Sequence, residues 1–270
     1  LSLHDALPIS GTDLFNLQTR AAEHGDEFIV NGQKVWTSGA RFADWCFILV
    51  RTDPNSTRHH GLSILLVDMK TPGITVTPLT GWHGDTDLHE VFFDDVKVPK
   101  KNLLGEKNQG LVPALKIMGY ERASLMYIGL YQRILDELVN FVKEIRFGRE
   151  VLSKNPFIQH SLAQMKIEVE VGRTLSYRIA WEADKGAVSD AYASMAKVYD
   201  SELAVRISET GMRILGLYGQ LRGGSKWTYL NGMFEHFYMY HPCLNLGAGS
   251  SEVHRNIIAA RELRLPRIKG

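Results

Sequence analysis

The chain has 270 residues, 44% hydrophobic and 23% charged, which is enough apolar material to bury one large domain or two ordinary ones. Its formal net charge of +1 supplies no basic field for nucleic acid, and no apolar run approaches the roughly 20 residues a membrane span needs. Cys46 and Cys243 are the only cysteines, and the ten histidines fall into no metal-binding spacing, so neither a disulfide framework nor a metal site is expected and a reducing cytoplasm is the expected setting.

From about residue 26 to 100 the hydropathy has period two. Short β-branched and aromatic runs, FIVNG, VWTSG, WCFILVR, LSILLVD, ITVTPL and EVFFDDVKV, are separated by Gly, Pro, Asn and Asp. They predict a compact antiparallel β domain, a small barrel or sandwich. Within it Asn31-Gly32 carries the two residues a tight hairpin turn prefers, flanked by Phe28, Val30, Val35 and Trp36. The reading is therefore strand, turn, strand, ending on Trp36, Thr37 and Ser38. An aromatic followed by two hydroxyls suits a ligand platform; a buried Trp at a strand end is more often plain core. His83 and His89 flank a Gly/Asp turn without a metal-site context.

After Pro99 the period changes. Ile128, Tyr131, Leu135, Leu138, Val142 and Ile145 recur three and four apart, with Arg133, Asp136, Glu137, Asn140, Lys143 and Glu144 on the other faces. Leu162, Met165 and Val169 begin a second stripe; Met195, Tyr199, Leu203 and Ile207 begin a third, with Ile214 further on. Short polar breaks lie at 147–156, 184–190 and 217–226, and a last helix is expected from about Ser251 to Leu263, after Gly247-Ala248-Gly249 and before Pro266. The second half thus reads as an antiparallel bundle of roughly four helices, and the whole as an α+β multidomain chain.

Four segments carry a resemblance: NGQKVWTSGA at 31–40, HEVFFDDVKVPKKNLLGEKNQG at 89–110, GYERA at 119–123 and GAGSSEVHRNIIAARELRLP at 247–266. In that order they resemble the acyl-CoA dehydrogenases, from about Gly11 to Pro266. The resemblance implies a middle β domain at 11–105 and a C-terminal helical domain at 106–270, with FAD bound between two such domains in family members. The family's N-terminal helical domain has no counterpart expected in these 270 residues. Residues 1–10, LSLHDALPIS, do not resemble the family and read as an adapter-derived or chimeric segment.

The resemblance also implies a chemistry. Oxidation of an acyl-CoA to the enoyl-CoA needs a carboxylate base at Cα, charge stabilisation at the thioester carbonyl and a hydride acceptor facing Cβ, which the flavin supplies. In many members the base sits just ahead of the final helix, where this chain has Ala248; in another branch it precedes an Arg within the bundle, and Glu121-Arg122 matches that. Glu121 is accordingly the expected base, against the plainer reading of a solvated first-turn acid. The family match assigns Trp36, Thr37 and Ser38 to the flavin's central ring and Thr12 to its thioester side. Ser250 and Glu252, which with Gly249 and Ser251 open the last helix, are assigned to anionic or polar groups of the cofactor, where an ordinary N-cap is the plainer reading. Arg213 and Gly216 fall in a segment that in the family reaches the adenine end from a neighbouring subunit, although Arg213 replaces the usual Gln. Thr12, Tyr120, Arg122 and Gly249 are the expected acyl-CoA contacts. Expected partners are the acyl-CoA, an electron-transfer flavoprotein and further subunits, identical or not. Two alternatives stay open on the same fold: a flavin monooxygenase or oxidase, and a non-catalytic subunit of a heteromeric dehydrogenase.

Overall fold

The chain divides into two units, Leu1–Met118 and Gly119–Gly270, each with its own hydrophobic core. The computed structural model describes residues 14–56, 60–122, 126–148, 150–186 and 189–266; Thr12 lies outside them.

The first unit is built on a mixed sheet. In chain order its strands are β1 (Arg20–His24), β2 (Glu27–Ser38), β3 (Trp45–Arg51), β4 (Leu62–Asp68), β5 (Ile74–Leu79), β6 (Leu88–Pro99) and β7 (Leu103–Leu104), arranged β5-β6-β2-β1-β3-β4-β7. All pairs are antiparallel except β1 with β3, which meet in parallel at Arg20 and Arg51. The inward residues alternate as the period-two pattern requires: Phe28 and Val30 on β2, Val91, Phe93, Val96 and Val98 on β6, and Ile48 and Val50 on β3 form the core.

The tight turn is not at Asn31-Gly32. It lies at Gly25-Asp26, where Gly25 has φ 57, and β2 then runs unbroken through Asn31 and Gly32 to Ser38. Two contacts override the local turn preference. A Cβ on Gly32 would stand 2.8 Å from Thr19 Cα, so this glycine permits a close chain crossing. The Asn31 side chain donates to Asp95 Oδ1 at 2.9 Å and accepts from Asp95 N–H at 3.0 Å, tying β2 to an irregular stretch of β6.

Beyond β7 the chain is helical: α1 (Leu111–Arg122), α2 (Met126–Glu144), α3 (Pro156–Asp184), α4 (Asp190–Leu215), α5 (Met233–Tyr240) and α6 (Ser251–Arg261). The 147–156 break holds a minimal hairpin, β8 (Arg146–Phe147) with β9 (Glu150–Val151), which the sequence pattern did not show. The α2 stripe is buried as expected, from Ile128 to Val142, and Ile134 and Phe141 widen it. Asn155 caps α3, its side chain accepting from the Phe157 and Ile158 N–H groups, with Pro156 at the first helical position.

Helix α4 is the centre of this unit, packed against α2, α3, α5 and α6. Leu203, Ile207 and Ile214 fill one side, while Ala191, Ala193, Ser194, Ala196, Ser201, Ala204 and Ser208 bury the others. Small residues there let neighbouring helices approach, and Gly211 is the extreme case. Alanine is favoured over glycine by about 1 kcal/mol inside a helix. A Cβ on Gly211 would nevertheless collide with the Phe234 ring, which is 1% exposed and has little room to retreat. Gly211→Ala is therefore expected to destabilise the helical unit by about 1–3 kcal/mol in urea unfolding; a more stable variant would show that the Phe234 ring gives way freely.

Candidate functional site

In the β unit, the platform segment sits on a bulge. β2 and β6 pair Lys34 with Val91 and then Thr37 with His89, so Val35 and Trp36 together oppose Glu90 alone. Trp36 adopts φ 60, rare for an aromatic side chain and worth roughly 1–3 kcal/mol of strain. The bulge turns it outward, and Trp36 is 67% exposed, which removes the plain-core reading. Thr37 is half-buried and Ser38 exposed, and the Thr37 carbonyl lies 3.2 Å from His89 Nδ1. His89 is fully buried, so the proton shared with that carbonyl is on Nδ1, and Nε2 has no partner among the described residues.

Tyr120, Glu121 and Arg122 lie in the last turn of α1. That helix begins at Leu111, so Glu121 is not the first-turn acid of the plainer reading; the side chains of these three residues are outside the described set.

The approach to α6 is a second built feature. Ala248 has φ 55 and Gly249 φ 97, and a Cβ on Gly249 would stand 2.9 Å from His254 Nε2. His254, fully buried, holds this turn: Nε2 donates to the Ala248 carbonyl at 3.0 Å, and Nδ1 lies 3.0 Å from Ser194 Oγ on α4. Ser250 caps the helix, accepting from Val253 N–H at 3.4 Å, so the N-cap reading holds at this residue. One residue on, Ser251 Oγ is buried with no partner among the described residues. The exposed Glu252 carboxyl is held below its ordinary range by its own backbone N–H and by the Ser250 hydroxyl. Lys197 on α4, 9% exposed, donates to the Asn245 carbonyl at 3.2 Å and acts electrostatically on Glu252. His254 and Lys197 were missed from sequence, whereas Ser251 was read with Gly249, Ser250 and Glu252 as opening the last helix. Only the place of His254 inside the 247–266 segment pointed toward it.

Arg213 and Gly216 end α4. The Arg213 Nε donates to the Glu209 carbonyl at 3.3 Å, and Gly216, φ 58, stops the helix. Ser194, which meets the α6 turn through His254, lies near the other end. The helix rises about 28 Å from Ser194 to Arg213. One chain therefore keeps Gly249, Ser250 and Glu252 apart from Arg213 and Gly216.

His83, Asp85 and Asp87 bring one possible ligand atom each within 4.8 Å of one another, a cluster the spacing rules did not flag. Both carboxylates are exposed, the ordinary state of solvated acids.

The model for the acyl-CoA dehydrogenase middle domain matches residues 8–96, and that for the C-terminal domain matches residues 108–263. The chain belongs to the acyl-CoA dehydrogenase family. FadE26 of Mycobacterium tuberculosis, an acyl-CoA dehydrogenase, is 34% identical over 268 residues, which is 96% of this chain and 66% of that protein. Among solved structures, the steroid acyl-CoA dehydrogenase Tcur3481-Tcur3483 gives a TM-score of 0.89 at 29% identity, over 97% of this chain and 67% of that one. The ChsE4-ChsE5 complex from Mycobacterium tuberculosis gives 0.88 at 34% identity, over 97% and 68%. The chain thus spans about two thirds of the length of the acyl-CoA dehydrogenases it matches. No described helix is long and apolar enough to cross a membrane.

Proposed function

We propose that the chain serves in an FAD-dependent acyl-CoA dehydrogenase that introduces an α,β double bond into an acyl-CoA thioester. The observation that carries this reading is Trp36, driven out of the sheet on a left-handed bulge directly ahead of Thr37 and Ser38. An exposed indole offers a flat apolar wall and the two hydroxyls a polar edge, the requirements of an isoalloxazine ring. In the helical unit, taken by itself, the α6 start suits an anionic group. Ser250 and Glu252 already accept from the Val253 and Glu252 N–H groups, but Ser251 Oγ is buried and unsatisfied among the described residues, and the Lys197 side chain acts electrostatically at this helix start. Bound FAD would supply the acceptor for the β-hydride.

Glu121 is the proposed base for the α-proton. Ala248, at the other position a base occupies in the family, carries no ionisable group, and its backbone is committed to the His254 contact. Tyr120, Arg122, Gly249 and Thr12 are proposed for the acyl-CoA, Arg213 and Gly216 for the adenine end. Electrons would pass to an electron-transfer flavoprotein in the cytoplasm, a setting that suits the free thiols of Cys46 and Cys243.

Glu121→Gln keeps the shape and removes the base. It is expected to retain FAD while flavin bleaching by an acyl-CoA panel slows by about 10²–10⁴-fold in stopped flow; bleaching at the parent rate would remove Glu121 from the chemistry.

A second reading is a subunit of a heteromeric dehydrogenase. It is favoured by the two-component similar structures, Tcur3481-Tcur3483 and ChsE4-ChsE5. Flavin binding or reduction that occurs only when a second, different chain is added would select it.

A further inference from the structure

The β2 segment that ends in the Trp36 bulge is pinned from several directions. Thr19 Oγ1 donates to the Gln33 carbonyl at 2.9 Å, and Gly32 lets the same Thr19 backbone pass against the strand. After the bulge, His89 Nδ1 meets the Thr37 carbonyl. The remaining anchor is Lys34, the last residue paired to β6 before the register shift. Its Nζ donates to the Leu49 carbonyl of β3 at 2.7 Å. β2 and β3 are not neighbours in the sheet, since β1 stands between them. β1 pairs β2 only from Glu27 to Asn31, so Lys34 spans the sheet beyond that pairing.

We propose that Lys34 is the positioning residue of the platform: its ammonium, locked to the Leu49 carbonyl immediately ahead of the bulge, holds Trp36 in its exposed, left-handed conformation. A Trp at φ 60 relaxes toward ordinary strand geometry unless its flanks are fixed. Charged donors make the stronger hydrogen bonds, and a buried one is lost only at the cost of an unsatisfied carbonyl. Burial also makes the anchor titratable, because it pulls the Lys34 amine down to about 8. Among the described residues, the titratable group acting on Lys34 is Cys46 of β3, whose thiol burial pushes up. The clamp on Trp36 stands on strand geometry alone; its consequence for FAD rests on the function proposed above.

The test follows the Trp36 indole N–H by NMR in the full chain, assigned with Trp36→Phe, alongside FAD titration. In the parent chain the Trp36 resonance is expected to shift with a midpoint near pH 8. The midpoint should survive Cys46→Ser and vanish in Lys34→Arg, which stays charged. Lys34→Met should displace the Trp36 resonance, leave the other indole signals in place and weaken FAD binding by about tenfold or more, with Lys34→Arg recovering most of the loss. A Trp36 signal that ignores both pH and Lys34→Met overturns the proposal. If Lys34→Met does not fold, the parent and Lys34→Arg titrations decide it. A chain that shows the Trp36 response and binds no FAD would keep the clamp and refute the flavin reading.

Discussion

Stability of the helical unit is expected to be nearly flat between about pH 4 and 6.5, and Asp200→Asn should make it climb steeply over that range. Asp200 on α4 is 7% exposed, its Oδ1 has no partner among the described residues, and burial raises its carboxyl to about 7. Tyr131, also raised chiefly by burial and further by Asp200, cannot supply a counter-charge. His241 is 2% exposed and pulled down to about 4, first by burial, although its Nδ1–H contact with the Ala204 carbonyl at 2.9 Å works the other way.

The two groups act with opposite signs. Asp200, raised in the fold, contributes stability that is full below its unfolded value of 3.8 and lost as pH rises through about 7. His241, lowered in the fold, contributes stability present above 6.5 and lost as pH falls through that value toward 4. Between 4 and 6.5 the native state holds one proton more at Asp200 and one fewer at His241, so the slopes cancel. Each alone is worth about 1.4 kcal/mol per pH unit. Asp200→Asn removes the falling term, and stability should rise by about 3 kcal/mol from pH 4 to 6.5. His241→Phe removes the rising term and should leave a fall of similar size. Urea unfolding followed by helical circular dichroism at four pH values measures both. A parent chain as steep as Asp200→Asn would mean that Asp200 is ionised in the fold throughout.

How legible these features were in the sequence depends on how local their causes are. The α2 stripe was readable because Ile128 to Val142 repeat with the helix and bury together. Helix α4 was half readable. Leu203 and Ile207 mark one face, but its remaining buried faces are Ala and Ser, which sit as readily on a surface, and nothing in the pattern singles out Asp200. Asn31-Gly32 has genuine turn preference, yet Thr19 and Asp95 are remote contacts that no window around residue 31 contains. At the candidate site the motif located Trp36 to Ser38 and Ser250. It could not show the positive φ at Trp36, the bridge His254 makes from Ser194 to Ala248, or the orphaned Ser251 hydroxyl, since each depends on a second element.

The separation along α4 gives the other large effect. If Arg213 and Gly216 serve the same cofactor as Ser250 and Glu252, they must reach it from another chain, because about 28 Å of helix divides them within one. Glu121→Gln should be inactive, and Arg213→Glu, which sets a negative charge against the adenine-diphosphate end, should lose FAD. Mixing the two variants under conditions of subunit exchange then becomes decisive. In a twofold assembly the mixed pair has one site carrying both lesions and one carrying neither. Half of randomly assorted pairs are mixed, so about a quarter of the parent turnover should reappear from two inactive parents. Recovery absent at every ratio, with exchange verified by mass, would show that Arg213 and Gly216 do not serve the same cofactor as Ser250 and Glu252. Recovery that needs an unlike chain in place of the Arg213→Glu parent would instead assign the adenine end to a heteromeric partner.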